Sequence, residues 1–281
     1  MRIYILTDQE GVAGVVNSVD YASPGSRYYE TARRLLTEEV NAAIEGALAG
    51  GATEIFVLDG HGHGSIDVEL LHPAAAVLTG RPIRFPFGFD ASFDALVFVG
   101  QHAKSNTDGG HLSHTGSMDQ DDLILNRRSV GELGWYIQLA GHHGKPTILV
   151  TGDQAVCDEA RALVPEIETV AVKTGIRNGP ATGLTGDENR LHNAAAVHRP
   201  PAKARAMIRE AAERAVRRIG EIPPFFIEPP YELVSILRAN TPGGERSVAL
   251  LHADDFVALG CMPREHTRSV ADIPFALEEV R

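Results

Sequence analysis

Residues 2–11 read RIYILTDQEG, a short run rich in Ile and Tyr that ends in two carboxylates and a glycine. An apolar run of this length with a polar end is typical of a buried strand. Residues 54–64, EIFVLDGHGHG, show the same pattern of an apolar run followed by polar residues and glycine. Between them, residues 28–49 carry apolar side chains at helical spacing and stop at Gly50-Gly51, as helices commonly do. This strand–helix–strand order predicts two parallel strands joined by a right-handed crossover.

Two further apolar runs extend the same pattern. Residues 95–100 and 147–151 bracket a helical pattern that starts near Val130 and ends at Gly141 and Gly144. Strands that alternate with helices predict an α/β domain. We therefore expect a mainly parallel sheet with flanking helices.

The last third of the chain has a different composition. We expect a helix from Gly186 to about residue 197, a second helix over residues 202–219, and a proline-rich connector over residues 222–230. Residues 231–237 and 247–251 indicate two more strands. These patterns predict an α/β metal-binding catalytic domain over residues 1–200 and a smaller C-terminal α+β portion over residues 201–281.

Composition limits the class of protein. The chain has 281 residues, of which 43% are hydrophobic, enough for a sizeable core. A formal net charge of -11 without a dense Lys/Arg tract disfavours nucleic acid as a partner. The sequence has no signal-peptide pattern at its start and no apolar window of roughly 18 to 20 residues, so we expect a cytoplasmic protein that does not enter a membrane. The two cysteines, Cys157 and Cys261, are too few for a disulfide framework, and we expect both to be buried.

Metal-binding side chains follow the predicted strands. In open α/β sheets, ligands bind beyond the carboxyl ends of the strands. Asp8 and Glu10 are two residues apart after the first strand, so in extended chain they point the same way. Imidazole and carboxylate groups together suit zinc or a similar first-row metal. The residues at the strand ends or on the loops that follow are Asp8, Glu10, Asp59, His61, His63, His102, His111 and His114.

Each of these side chains has an ordinary structural alternative. Asp8 alone could cap a helix, and only one of His61 and His63 need be a ligand, since a single glycine separates them. Three strand ends that all present His, Asp or Glu are harder to explain without a metal. Other polar residues are interpreted as helix caps, solvated loops or structural groups: His142, His143, His72, His192, His198, His252, His266, Asp119, Asp121 and Asp122.

Several short motifs in order resemble the DppA-type D-aminopeptidase family. They are Asp-x-Glu-Gly at 8–11, Asp-Gly-His at 59–61, Gly-x-His-Ala at 100–103, Ser-His at 113–114, Val-Gly-Glu-Leu-Gly at 130–134, Lys-Pro-Thr-Ile-Leu-Val-Thr-Gly-Asp at 145–153 and Ala-Val-Lys at 171–173. Gln9 stands where the family often has Met, between the two acids, and its side chain should point away from a metal.

The resemblance implies two zinc ions per subunit. Its ligand set, carried onto this chain, is Asp8 shared between the ions, Glu10 and His61 on one ion, and His102 and Glu132 on the other. His114 then occupies the position of the catalytic histidine. His111 is an extra histidine on a loop that is one residue longer than expected, and the Ser-His pair favours His114 over it.

The implied activity is that of a zinc aminopeptidase that hydrolyses the amino-terminal peptide bond of short peptides with a metal-bridged hydroxide. Whether the substrate residues are D, L or β amino acids stays open. The family also implies a homo-oligomer, a ring-like assembly of ten subunits.

Two other functions remain alternatives. A two-metal amidohydrolase or phosphoesterase acting on a non-peptide small molecule would use the same metals. A nucleotide-binding module could use the glycines of residues 60–64, but their spacing is not Gly-x-Gly-x-x-Gly.

Overall fold

The structure is a computed structural model that describes residues 1–280 and contains twelve strands in two sheets. The strands are β1 (Arg2–Thr7), β2 (Glu54–Leu58), β3 (Ala75–Leu78), β4 (Ala95–Gln101), β5 (Gln120–Leu125), β6 (Arg128–Ser129), β7 (Thr147–Asp153), β8 (Glu168–Gly175), β9 (Ala196–His198), β10 (Tyr231–Leu237), β11 (Ser247–Ala253) and β12 (Arg268–Ser269). The α-helices are α1 (Ser18–Tyr21), α2 (Tyr29–Ala49), α3 (Gly131–His142), α4 (Gln154–Leu163), α5 (Gly186–His192), α6 (Pro201–Arg217) and α7 (Phe256–Cys261). Short 3-10 turns cover Ile219–Glu221, Val270–Asp272 and Leu277–Glu279.

The larger sheet has the strand order β3-β2-β1-β4-β7-β8-β9. All its pairings are parallel except that of β9 with β8. Its central strands are buried, as their continuous apolar runs predict. Helix α2 packs against α6, and α4 packs against β7 and β8. The expected α/β class, with a mainly parallel sheet and flanking helices, is confirmed.

The smaller sheet is antiparallel, with the order β12-β11-β10-β5-β6. It supplies the expected C-terminal α+β portion, but β5 and β6 come from residues 120–129; β5 pairs with β10, and β6 pairs with β5. Helix α6, which follows residue 200, packs on α2, the helix that connects β1 and β2 of the larger sheet. The division of the chain at residue 200 stays a prediction, since β5 with β10 and α2 with α6 make contacts between the two parts.

Three local predictions are wrong. The helix expected over residues 186–197 ends at His192, and residues 196–198 form the edge strand β9. Of the acids expected in a solvated loop, Asp119 is exposed in a turn, but Asp121 and Asp122 belong to β5. Asp121 is buried and pairs with Arg238 at 3.2 Å and Arg246 at 2.8 Å. These two arginines supply the charge that lets a carboxylate leave solvent. Cys157 is buried as expected, whereas Cys261 is exposed because it lies at the end of α7 on the surface.

Among residues 1–280, no helix combines the length and the apolar character that crossing a membrane requires.

Candidate metal centre

The carboxyl ends of three neighbouring strands meet at one point of the larger sheet. Strand β1 lies between β2 and β4, so Asp8, His61 and His102, which follow these three strands, come together. Gly100 makes the approach possible. It has a φ of +79°, and a Cβ atom at this position would clash with the carbonyl group of Asp8.

Glu132 reaches the same place from the first turn of α3. The helix begins at Gly131, which has a φ of +56° and would clash with Lys104 if it carried a side chain. This close approach brings α3 against the loop that continues from His102. Glu132 Oε1 lies 3.5 Å from His102 Nε2 and accepts a hydrogen bond from the backbone N–H of Gly116.

The predicted ligands, together with the predicted catalytic residue His114, form two clusters. The first contains Asp8, Glu10 and His61, all buried; the second contains His102, His114 and Glu132, which are buried or half-buried. Within each cluster one donor atom per residue lies within 4.8 Å of the others. Donor atoms bound to one zinc ion at about 2 Å must lie within about 4 Å of each other, so each cluster has the size of a single-ion site after small adjustments.

Asp8 connects the two clusters through its two carboxylate oxygens. Oδ1 lies 3.2 Å from His61 Nδ1, and Oδ2 lies 3.1 Å from His102 Nε2. A carboxylate with one oxygen directed to each cluster has the geometry of a ligand shared between two ions.

Each of the three histidines, His61, His102 and His114, is held in place through one of its two ring nitrogens. A carbonyl oxygen only accepts hydrogen bonds, so the nitrogen that faces it carries the proton, and in a neutral ring the other nitrogen presents its lone pair to the carboxylates. These N–H groups donate from His61 Nε2 to Ala22 O at 2.8 Å, from His102 Nδ1 to Ala103 O at 2.9 Å, and from His114 Nδ1 to Leu112 O at 2.8 Å.

Lone pairs that face carboxylate oxygens need a cation between them. Glu10 Oε2 and His102 Nε2 are buried and have no hydrogen-bond partner among the described residues. The five predicted ligands, two imidazoles and three carboxylates, are also a donor set that zinc accepts. The centre therefore fits a pair of divalent metal ions.

The acid–base properties of the metal-free centre reflect the same need. Burial by itself lowers the pKa of His61, but the charge of Glu10 and the contacts with Asp8 raise that pKa well above its usual value. Glu132 and Asp8 act in the same way on the pKa of His102. In return, despite burial, the nearby charge of His102 lowers the pKa of Glu132 to about 2. Without a bound cation, a proton on each of these two rings would offset the charge of the carboxylates.

The loop that carries Asp8 and Glu10 is fixed by a buried lysine that the sequence motifs contained but did not explain. Lys173 Nζ donates hydrogen bonds to the carbonyl groups of Glu10 and Val15. Burial lowers the pKa of Lys173 to about 8, although Asp153 and Glu39 oppose the shift. Lys173 lies on β8, which β4 and β7 separate from β1, so its place in the Ala-Val-Lys motif is the signal in the sequence that could have identified this role.

A cavity of about 630 Å³ opens onto the centre. Trp135 and Tyr136 form part of its wall. They follow Glu132 by three and four residues on α3, and this spacing places them on the same side of the helix as the ligand. The other wall residues that we did not predict include Phe85, Phe87, Arg190 and Arg264.

The two histidines of unsettled role differ in position. His63 is exposed and lines the cavity. His111 is fully buried and does not line it; its Nε2 donates to the carbonyl groups of Val16 and Ala194. Burial, with the charges of Lys173 and His198, lowers the pKa of His111 to about 2. A neutral ring bound to two carbonyl groups is a structural element of the loop.

Comparison with known proteins gives a consistent result. The family model described as D-aminopeptidase matches residues 1–242. The chain is 32% identical over 243 residues to the D-aminopeptidase of Bacillus subtilis (strain 168), a match that covers 85% of this chain and 82% of that protein. It is also similar to a solved structure described as "Zn-dependent D-aminopeptidase DppA from Bacillus subtilis, a self-compartmentalizing protease". That match has a TM-score of 0.79 and 28% identity, and it covers 92% of this chain and 93% of the other.

Proposed function

The chain belongs to the D-aminopeptidase family, and we propose that its two ligand clusters hold two zinc ions that act on the amino-terminal peptide bond of short peptides. It is a metallo-aminopeptidase, a hydrolase. The similar solved structure is described as zinc-dependent, which supports zinc as the metal here. Asp8 would be shared between the ions, Glu10 and His61 would hold one ion, and His102 and Glu132 would hold the other.

The observation that carries this proposal is the position of Asp8. Its two carboxylate oxygens are directed to His61 and His102, at 3.2 and 3.1 Å, and these histidines belong to different clusters. A single-ion site would not need a central carboxylate that reaches both. Two bound ions would supply a nucleophilic hydroxide at neutral pH and polarise the scissile carbonyl group.

The protein supplies His114 for the movement of protons. Its Nδ1–H group is committed to Leu112 O, so Nε2 is the nitrogen available to the substrate. In the neutral ring Nε2 accepts a proton, which it can then donate to the leaving amine. His114 also stacks on the His102 ring, with the ring centres 4.0 Å apart, and this contact fixes its plane beside the metal ligands.

The same chemistry could act on other bonds, so the substrate decides between the alternatives. The purified protein, loaded with a defined amount of zinc, should be given matched alanine dipeptides and tripeptides of D and L configuration, together with a phosphomonoester and a non-peptide amide. We expect release of the amino-terminal residue from the peptides. Activity confined to the phosphoester or the non-peptide amide would contradict the proposal.

We further propose that the chain forms a homo-oligomer of ten subunits, as the family resemblance implies. The similar solved protein is described as self-compartmentalizing. Exposed apolar side chains near α1, α5 and β9 provide a surface that contact between copies would cover: Val16, Val19, Ile176, Leu191 and Val197. Light scattering should give ten times the chain mass of 30.2 kDa; a monomer mass would contradict this proposal. The cytoplasmic location stays a prediction.

A further inference from the structure

The cavity that opens onto the metal centre contains more positive charge than it can neutralise. Three acidic residues line it, Asp8, Glu10 and Glu132, and each is a proposed metal ligand. Two divalent ions would carry four positive charges, which these three carboxylates and one hydroxide balance. Arg190 and Arg264 line the same cavity and have no carboxylate left for them there. The loaded cavity therefore suits a substrate with an anionic group.

Of these two arginines, Arg190 is the one whose guanidinium has no contact partner among the described residues. Among residues 1–280 it makes no ion pair, and its Nε is buried without a hydrogen bond. A buried guanidinium N–H with no acceptor costs free energy that an arriving carboxylate would recover. Arg264, by contrast, lies over the Trp135 ring at 5.4 Å and occupies an aromatic face.

Arg190 is also fixed relative to His114. It lies on α5, and its neighbour Asn189 donates a hydrogen bond to the carbonyl oxygen of Ser113, the residue before His114. Asn193, just beyond the helix, donates to the same oxygen at 2.9 Å. Buried contacts thus fix the backbone that carries Arg190 relative to the loop that carries the proposed catalytic ring.

We propose that Arg190 binds the free C-terminal carboxylate of the peptide substrate, so that the enzyme selects short peptides with an unblocked C-terminus. This inference rests on the proposed aminopeptidase function. The amino end of the peptide lies at the metal centre and the carboxylate end reaches Arg190, which limits the length of chain that can span the cavity.

The test compares free acids with amides. Alanine dipeptide and tripeptide, in the configuration that the wild type cleaves, are assayed with a C-terminal carboxylate and with a C-terminal amide. The Arg190 guanidinium and the substrate carboxylate would form a hydrogen-bonded charge pair. We therefore expect the wild type to prefer the free acid over the amide by roughly 10- to 100-fold in kcat/KM, measured on whichever of the two peptides it cleaves better. In Arg190→Gln this preference should collapse, mainly through KM, while the zinc content stays at two ions. Arg190→Lys should recover part of it, because lysine keeps the charge but not the paired geometry.

Arg177→Gln is the matched control, because Arg177 is exposed and does not line this cavity, and it should keep the preference for the free acid. A purely structural role for Arg190 would reduce the cleavage of acid and amide equally, and that result overturns the proposal. So does a wild type that cleaves acid and amide at the same rate, although the aminopeptidase function then stands. A zinc-loaded wild type that cleaves neither substrate refutes the proposed function and this inference together.

Discussion

Replacing His114 with alanine separates the two roles that its position allows. The ring lies beside the second cluster, with Nε2 3.9 Å from Glu132 Oε1, so it could either bind an ion or move protons. We assign it to proton transfer. His114→Ala should therefore reduce kcat strongly while both zinc ions stay bound and KM changes little.

The magnitude follows from what the ring contacts. General acid–base assistance is typically worth 10²- to 10⁴-fold, so we expect kcat to fall by at least about a hundredfold. The folded state should survive, because the substitution removes one hydrogen bond, that to Leu112 O, worth about 1 kcal/mol. Loss of the stacking contact with His102 adds a modest further cost.

The assay combines steady-state kinetics on an alanine peptide with metal analysis of the same preparation. His252→Ala is the control, since His252 is exposed on β11 and does not line the cavity. Loss of one zinc ion from His114→Ala in proportion to the lost activity would refute the assignment and make His114 a ligand. A variant that keeps nearly full kcat would remove it from the chemistry.

Three further predictions test the centre and the fold. Asp8→Ala should lose more zinc on dialysis than any other single ligand variant, because it contacts both clusters; two ions retained per chain would contradict this. The carboxylates raise the pKa of His61 and His102 in the metal-free protein, so zinc must displace protons. Zinc affinity should therefore increase with pH until it passes these raised values, with proton release measurable by calorimetry in two buffers. Arg238→Met leaves Asp121 buried next to one remaining partner and should lower the free energy of unfolding by about 3 to 5 kcal/mol, measured by denaturant titration.

The central strands of the larger sheet could be predicted from the sequence because their signals are local. The apolar runs of β1, β2, β4 and β7 are each bounded by polar or glycine residues, and α2 shows clear helical spacing. The strands that we did not predict are different. In β5, Gln120, Asp121 and Asp122 stand where a strand pattern would have apolar residues. Their pairing with β10 and the contact of Asp121 with two distant arginines are long-range facts that no local window contains.

Some residues of the metal centre could likewise be predicted from local sequence patterns, and others could not. Residues such as Asp8, His61 and His102 follow strands, and strand order then predicts that they meet. Glu132 comes from a helix, where an acid in the first turn is ordinarily explained by the helix dipole, and only the family resemblance indicated it. Arg190 could not be identified from sequence because its significance is the absence of a partner. That absence is visible only once the walls of the cavity are assembled.

The most direct test of a two-ion centre is anomalous diffraction from zinc-loaded crystals at the zinc absorption edge. We expect two peaks in each chain, separated by about 3.5 to 4 Å, with the Asp8 carboxylate between them and His61 and His102 on opposite peaks. A single peak, or two peaks that do not share Asp8, would contradict it.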